Sequence, residues 1–173
     1  ETFSISVEAR LDQGESYSAS GGLRKKFELI YVIADERDVI PLRTCTRNVE
    51  VFLYPGRATP DQAQDLLVDM LQRTNTLQSH PEFYDLLNNN CTTNLVSHVN
   101  NLRPGRIPFD WRVILPGHSD RLAYELGLIE TTESFAVTKS RANITAIAIA
   151  YKDHPDLPQI LRQTSRSDRN GTR

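Results

Sequence analysis

The alternation of apolar and polar residues in the first third of the chain predicts β-strands. In the stretch FSISVEARL, apolar residues at positions 3, 5, 7 and 9 alternate with polar ones, which is the period of a half-buried strand. The mostly apolar run FELIYVIA, residues 27–34, predicts a more central strand. VIPLRT and VEVFLYP, which begin at Val39 and Val49, predict two further strands, with Pro41 marking an edge or a bulge. Consecutive strands of this kind pair antiparallel by default.

Later in the chain the apolar spacing becomes helical. ATPDQAQDLLVDMLQRTNTLQSH places Thr59 as the N-cap, a proline at the first helical position, and leucines and a methionine at helical spacing. A second helix is predicted from near Cys91 to about Asn101, and SDRLAYELGLI predicts another that ends at Gly127. NITAIAIAYK, residues 143–152, fits both periods, and we favour a helix. Strands followed by helices, without βαβ repeats, indicate the α+β class.

The composition is typical of a globular domain. The chain has 173 residues, of which 39% are hydrophobic and 24% charged, and its formal net charge is −2 with both signs interspersed. This balance argues against nucleic acid as a partner. The length predicts a single domain over residues 1–165, followed by a polar, disordered tail over residues 166–173. The turn-rich stretch DQGESYSASGG, residues 12–22, separates the first two predicted strands.

No segment of the sequence resembles a membrane span or a signal peptide. No apolar run approaches the roughly 20 residues that cross a bilayer, and the start lacks a charged and then apolar pattern. The sequence does begin almost directly in a predicted strand, without the turn or cap that usually precedes one. We therefore expect a domain excised from a longer protein.

Cysteine and histidine usage excludes several kinds of site. The two cysteines, Cys45 and Cys91, permit one disulfide at most, and their wide separation is not that of a disulfide scaffold. CxxC and HExxH spacings are missing and the four histidines are scattered. The sequence therefore predicts neither a metal site nor a cofactor.

The segment NNNCTTN predicts a cysteine at the start of a helix. Asn89 and Asn90 are favoured N-caps, so Cys91 falls in or just before the first turn. There the helix dipole favours an anion and increases the thiolate fraction, and backbone N–H groups can receive an oxyanion. The Asn89 or Asn90 side chain can also donate to that oxyanion, or can simply cap the helix. A buried structural thiol remains the alternative, because free cysteine is among the most buried residue types.

No histidine of the sequence is a convincing base for Cys91. His98 lies seven residues later, a rise of about 10 Å along the same helix and too far for a direct hydrogen bond. We therefore expect His98 to be a surface or partly buried helix residue. His118, next to the predicted cap Ser119, is a weaker candidate.

Several stretches together resemble the Lnb N-terminal periplasmic domain family. They are SVEARLDQGESYS, ELIYVIADERDVIPLRT, VFLYP, FYDLLNNNCTTNLVSHVN and PGRIPFDWRVILPGHSDRLAYELGLI, which cover roughly residues 4–129. The resemblance implies a papain-like fold of the permuted NlpC/P60 type, with an antiparallel sheet packed against helices and the nucleophile Cys91 at a helix N-terminus. It also implies that the catalytic histidine belongs to a strand upstream of Glu1.

The family name implies a reaction and a location. It derives from a lipoprotein N-acyltransferase, which implies that Cys91 carries an acyl group as a thioester. The donor is then a phospholipid or lipoprotein acyl ester and the acceptor a lipoprotein N-terminal amine. The resemblance implies the periplasmic face of the bacterial inner membrane, with membrane association through segments outside this chain.

Four further residues are candidates for substrate binding. Tyr84, seven residues before Cys91, either lines the site or is a core aromatic. RIPFDW supplies Arg106, Asp110 and Trp111, and a lone tryptophan either contacts an acyl chain or anchors a core. Two other functions stay open at this point: a non-catalytic periplasmic binding or scaffold domain, and a peptidoglycan amidase or peptidase of the NlpC/P60 type.

Overall fold

The chain combines a small sheet with many helices. The computed structural model describes residues 2–11 and 27–170, without the side chains of Pro116 and of residues 164–170. Strands β1 (Phe3–Ala9) and β2 (Leu29–Asp35) form a two-stranded antiparallel sheet. Both strands were predicted from the apolar pattern, and the mixture of helix and strand is consistent with the α+β class. The predicted turn at residues 12–22 lies outside the described residues.

The prediction of a strand from Val39 is wrong, because residues 36–46 are helical. Helix α1 (Glu36–Pro41) continues into a π-helical turn, Leu42–Thr46. The Asp35 side chain accepts from the Arg37 backbone N–H and so caps α1. The charged residues after β2 therefore form a helix start, with Glu36 and Asp38 in the first turn.

The stretch VEVFLYP forms isolated bridges instead of the strand predicted from its apolar residues. Phe52 bridges Asn143 and Gly56 bridges Ile129, both antiparallel. The Leu53 N–H donates to the Ala142 carbonyl at 2.7 Å. The segment is held by partners distant in sequence, which a local pattern cannot reveal.

The longest helix, α2, spans Pro60–Ser79 as its start signals predicted. The Thr59 hydroxyl accepts from the Gln62 N–H, and the Gln62 side chain accepts from the Thr59 N–H, which completes a capping box. Met70 and Leu77 are buried on its inner face. Helix α3 follows at Cys91–Leu102, also close to the predicted bounds.

The remaining helices are short apart from the last. In chain order they are α4 (Trp111–Ile114), a 3-10 turn (Pro116–His118), α5 (Ser119–Glu125), α6 (Phe135–Ala142), α7 (Thr145–Ala150) and α8 (Leu157–Asn170). Gly127, with a φ of 66°, ends the α5 turn as predicted. Helix α7 confirms the helical interpretation of residues 143–152. Leu157 and Leu161, at the start of α8, are fully buried. The disordered tail over residues 166–173 stays a prediction.

The described residues form two compact units. The first comprises residues 2–4, 33–56 and 129–170, and the second comprises residues 5–11, 27–32 and 57–128. The core of the first unit consists of Ile40, Ile144, Ala148, Leu157 and Leu161. The second unit contains two clusters, a first cluster (Val7, Phe27, Leu29, Met70, Leu77 and Tyr84) and a second cluster (Ile107, Val113 and Leu122). Cys91 and its neighbours belong to the second unit. The single domain over residues 1–165 stays a prediction.

The capping box of α2 gives a stability prediction. Thr59→Ala removes the acceptor of the Gln62 N–H and should lower the free energy of unfolding by about 1 kcal/mol. Thr76→Ala is the matched control, because Thr76 is exposed within the same helix and its hydroxyl only bonds back to the Gln72 carbonyl. That variant should change stability by less than about 0.5 kcal/mol in urea unfolding. Equal losses in both variants would contradict the capping role.

Candidate functional site

Cys91 is the first residue of helix α3, and Asn90 is its N-cap. The Asn90 side-chain oxygen accepts from the backbone N–H groups of Thr92 and Thr93, both at 2.8 Å. The Thr93 hydroxyl accepts in return from the Asn90 N–H at 2.8 Å. This reciprocal box fixes the turn that carries the thiol.

The asparagine amides around Cys91 are already engaged in hydrogen bonds. Asn90 is fully buried, and its side-chain nitrogen donates to the Leu86 carbonyl at 2.7 Å. The Asn89 amide nitrogen donates to the Glu82 carboxylate and to the Phe83 carbonyl, both at 3.0 Å. In this arrangement both asparagines position the turn. An oxyanion role for either side chain stays a prediction and requires one of these bonds to be exchanged.

The Cys91 thiol is half-buried and has hydroxyl neighbours. The Tyr84 hydroxyl donates to the sulfur at 3.9 Å, and the Thr92 hydroxyl lies at the same distance. The Tyr84 ring is buried in the first cluster, against which Cys91 also packs. Tyr84 is thus a core aromatic whose polar end reaches the thiol. Cys45 is also a free thiol and is exposed.

One backbone donor of the first turn has no partner among the residues that the structure describes. The N–H groups of Thr92 and Thr93 are taken by the Asn90 cap, and that of Asn94 bonds the Asn90 carbonyl. Among the described residues, nothing accepts from the Cys91 N–H. The thiol and this donor belong to the same residue, so an acyl group attacked by the sulfur has a backbone N–H beside its carbonyl oxygen.

His98 is buried, contrary to the expectation of a surface or partly buried residue. Its Nδ1 lies 2.6 Å from an Asp69 carboxylate oxygen, and its Nε2 lies 2.6 Å from the Tyr31 hydroxyl. The Asp69 carboxylate accepts from Nδ1–H, and Nε2 shares a hydrogen bond with the Tyr31 hydroxyl. The ring therefore joins α3 to α2 and β2, and this pairing compensates for its burial.

Tyr31 extends this hydrogen-bonded chain towards the Cys91 turn. Its hydroxyl lies 3.3 Å from the Asn94 side-chain oxygen, and the Asn94 nitrogen donates to the Asn89 side-chain oxygen and the Asn90 carbonyl. Burial raises the pKa of Tyr31 to about 12, an effect opposed by the nearby Arg73 guanidinium. The neutral phenol is thus strongly favoured in the folded protein.

An ion pair completes the polar cluster. Arg73 donates two hydrogen bonds to Glu82, at 2.7 and 2.6 Å. This bond lowers the pKa of Glu82 and raises that of Arg73. Glu82 also accepts from Asn89, which links the pair to the segment before Cys91.

The three candidates from RIPFDW, which are Arg106, Asp110 and Trp111, contact residues other than Cys91. Arg106 donates to the Leu126 carbonyl at 2.8 Å, and Asp110 caps α4 and pairs with Arg112. The Arg112 hydrogen bonds lower the pKa of Asp110 to about 2. Trp111 is 56% exposed and its ring lies 5.3 Å from that of His118. Among the described residues, Tyr84, Asn89 and Asn90 lie around Cys91. In the same part of the chain, Arg106, Asp110 and Trp111 do not contact the thiol.

Sequence reasoning missed Asp69, Tyr31 and Asn94 as parts of the site. A signal did exist: Asp69 lies between Leu66 and Met70 on the inward face of α2, where an acidic residue needs a partner. Asn94 and His98 are four residues apart and share a face of α3.

The concavities, acidic and histidine side chains, and helices of the described residues do not indicate a second functional site. Two surface concavities lie in the first unit, and neither is lined by Cys91. Residues 2–11 and 27–170 contain no cluster of three or more His, Cys, Asp or Glu side chains arranged to hold a metal ion. Within the same ranges, every helix is too short or too polar to cross a membrane.

The Asn90 cap yields a prediction on stability. Asn90→Ala removes three hydrogen bonds from a buried site and should lower the free energy of unfolding by about 2–4 kcal/mol. The exposed neighbour Asn88 provides the control, and Asn88→Ala should cost less than about 0.5 kcal/mol. Urea unfolding measures both. A loss for Asn90→Ala no greater than for Asn88→Ala would contradict the cap.

Tyr31 predicts a dependence of stability on alkaline pH. The pKa of Tyr31 is raised from 10.0 to about 12, so its contribution to stability is complete below pH 10 and is lost as pH rises through 12. Tyr31→Phe should lower stability by about 1–3 kcal/mol below pH 10, because the His98 Nε2 loses its partner.

The difference in unfolding free energy between wild type and Tyr31→Phe should shrink above pH 10. The half-exposed Tyr151 supplies the matched control, Tyr151→Phe, whose difference from wild type should stay small throughout. A Tyr31→Phe difference that is constant up to pH 12 would show that the phenol is not preferentially neutral in the folded state.

Comparison with known proteins identifies the family. The family model described as "Lnb N-terminal periplasmic domain" matches residues 1–117, which include both strands, α2, α3 and Cys91. Neither the curated proteins nor the solved structures give a match. The match covers more than half of the chain, and the residues around Cys91 lie within it. The chain therefore belongs to the Lnb N-terminal periplasmic domain family.

Proposed function

We propose that this periplasmic domain transfers an acyl group through a thioester on Cys91. The most fitting reaction is lipoprotein N-acylation, with a phospholipid or lipoprotein ester as donor. The family description supports the periplasmic setting. Anchoring to the inner membrane, through segments outside the residues given, belongs to the same proposal.

One observation carries the proposal: the half-buried thiol and a backbone N–H without an acceptor among the described residues belong to the same residue, Cys91. This residue begins a 12-residue helix, whose N-terminus stabilises a developing oxyanion. The Asn90 cap holds the turn in this geometry before substrate binds. Tyr84 adds a hydroxyl that donates to the sulfur.

The reaction has two steps that use the same sulfur. The Cys91 thiolate attacks the ester carbonyl and a carbon–sulfur bond forms, with the oxyanion beside the Cys91 N–H. Collapse breaks the ester carbon–oxygen bond and expels an alkoxide, which becomes the alcohol by taking up the proton that the base removed from the thiol. A lipoprotein amine then attacks the thioester, the carbon–sulfur bond breaks, and the amine proton passes to a base. The products are an amide and the regenerated thiolate.

The base in this proposal is a histidine outside the residues given, as the family resemblance implies. Among the described residues, the sulfur has hydroxyl neighbours but no imidazole. Both ring nitrogens of His98 are engaged, one by Asp69 and the other by Tyr31. His98 therefore acts as a structural link between elements and does not exchange protons with the thiol.

The arrangement around Cys91 also supports a papain-like fold of the permuted NlpC/P60 type. Cys91 packs against the first cluster, which contains Val7 from β1 and Leu29 from β2. A helix that begins with the nucleophile is thus packed against an antiparallel sheet. We propose that this pair is the common element of that fold.

A second candidate function is a non-catalytic binding or scaffold domain. The contact of Cys91 with the first cluster favours it, because a small apolar side chain fills that place equally well. The two functions differ in whether the sulfur forms a covalent bond. Replacement of Cys91 therefore separates them.

Cys91→Ser should abolish acyl transfer. The full-length protein is expressed in cells whose lipoprotein N-acylation depends on it, and mass spectrometry of lipoprotein N-terminal peptides measures the acyl group. Cys45→Ser, which changes the exposed thiol, should retain wild-type acylation. Wild-type protein incubated with phospholipid should also gain one acyl mass on the peptide that contains Cys91. Retained N-acylation in Cys91→Ser would exclude the thioester route and favour the binding domain.

A further inference from the structure

The segment from Ile107 to Leu115 presents large apolar side chains to solvent. Phe109 is 92% exposed, Trp111 56% and Leu115 51%. Trp111 is the first residue of α4, and Leu115 is its C-cap. Monomeric proteins rarely expose such concentrated apolar surface unless it meets a partner or a membrane.

The same segment is firmly held from its inner side. Ile107 and Val113 are buried in the second cluster. Asp110 caps α4 and pairs with Arg112, which also bonds Glu125 at 2.6 Å. The exposed side chains are therefore carried by an ordered backbone, so that docking requires little further ordering.

Arginines outnumber acidic residues in the sequence around the segment, although the whole chain has a net negative charge. Residues 101–118 contain three arginines and one acidic residue, whereas the chain has a net charge of −2. Arg106 donates to the Leu126 carbonyl and Arg112 is held in ion pairs. Arg103 is exposed, and within the described ranges its guanidinium makes no hydrogen bond or ion pair. Exposed aromatic side chains and an exposed arginine six residues before Phe109 are complementary to an anionic lipid headgroup layer.

We propose that Phe109, Trp111 and Leu115 dock this chain on the surface of an anionic lipid bilayer. The three side chains enter the headgroup region, and Arg103 meets the lipid phosphates. This contact is additional to the proposed acyl transfer and does not involve Cys91. It differs from anchoring by other segments because residues of this chain make it.

The chain contains a single tryptophan, so its fluorescence reports directly on the docking segment. The protein is mixed with vesicles of phosphatidylethanolamine and phosphatidylglycerol, and with vesicles of phosphatidylcholine alone. With the anionic vesicles, Trp111 emission should shift to the blue and be quenched by brominated acyl chains. Binding should weaken as salt increases. Unchanged emission with both kinds of vesicle would overturn the proposal.

Variants then identify the side chains that bind. Phe109→Ala should weaken partitioning into anionic vesicles about tenfold, since burying a phenylalanine side chain contributes at least that factor. Phe83, 54% exposed in the same unit, is the matched control, and Phe83→Ala should bind as wild type does. Arg103→Gln should reduce the preference for anionic vesicles. Circular dichroism checks that each variant is folded.

Two other results would overturn the proposal. Equal vesicle binding by wild type and Phe109→Ala would place the lipid contact elsewhere. Self-association that Phe109→Ala abolishes, without any vesicle binding by wild type, would make the segment an interface between copies of the chain. Analytical ultracentrifugation of both proteins without lipid measures this second possibility.

Discussion

The position of Cys91 depends on one fully buried amide. Asn90 places its oxygen on two backbone N–H groups of helix α3 and its nitrogen on the carbonyl of Leu86, in the preceding loop. A single side chain thereby joins the loop to the helix start. Because the amide is completely enclosed, its hydrogen bonds have no competition from water, and losing them leaves polar groups unsatisfied. The other contacts of the Cys91 thiol depend on the conformation of this turn.

Behind the turn, apolar packing and polar bonding have different roles. The first cluster brings β1, β2, α2 and α3 together without specifying direction, since burial of apolar surface is non-directional. The chain from Asp69 through His98 and Tyr31 to Asn94 is directional and connects α2, α3 and β2 at fixed atoms. Among the described residues, no buried side-chain polar atom lacks a partner. Such a network favours a single alignment of the elements that carry Cys91.

Local signals in the sequence predicted those parts of the fold that are decided locally. Thr59 and Asn90 are helix caps whose partners lie within three residues, so both helix starts were predictable. The stretch from Val49 has the composition of a strand, but its partners lie about ninety residues away, and no local pattern reveals them. Near Asp35, one cluster of charges suits both a hairpin and a helix start, and the capping bond decides between them. His98 was misjudged because its partners, Asp69 and Tyr31, come from other elements.

The capped turn also restricts how a covalent inhibitor can be designed. With the N–H groups of Thr92 and Thr93 occupied by Asn90, the turn offers a tetrahedral adduct on the sulfur only the donor of Cys91 itself. Under the proposed acyl transfer, aldehyde and nitrile reagents, whose adducts rely on such donors, would find a single backbone donor in this turn. Alkylating reagents form no oxyanion when they react, so the small number of N–H donors does not weaken their reaction with the thiol. If Cys91 acts as proposed, chloroacetamide-type compounds would therefore be the better starting points for this thiol.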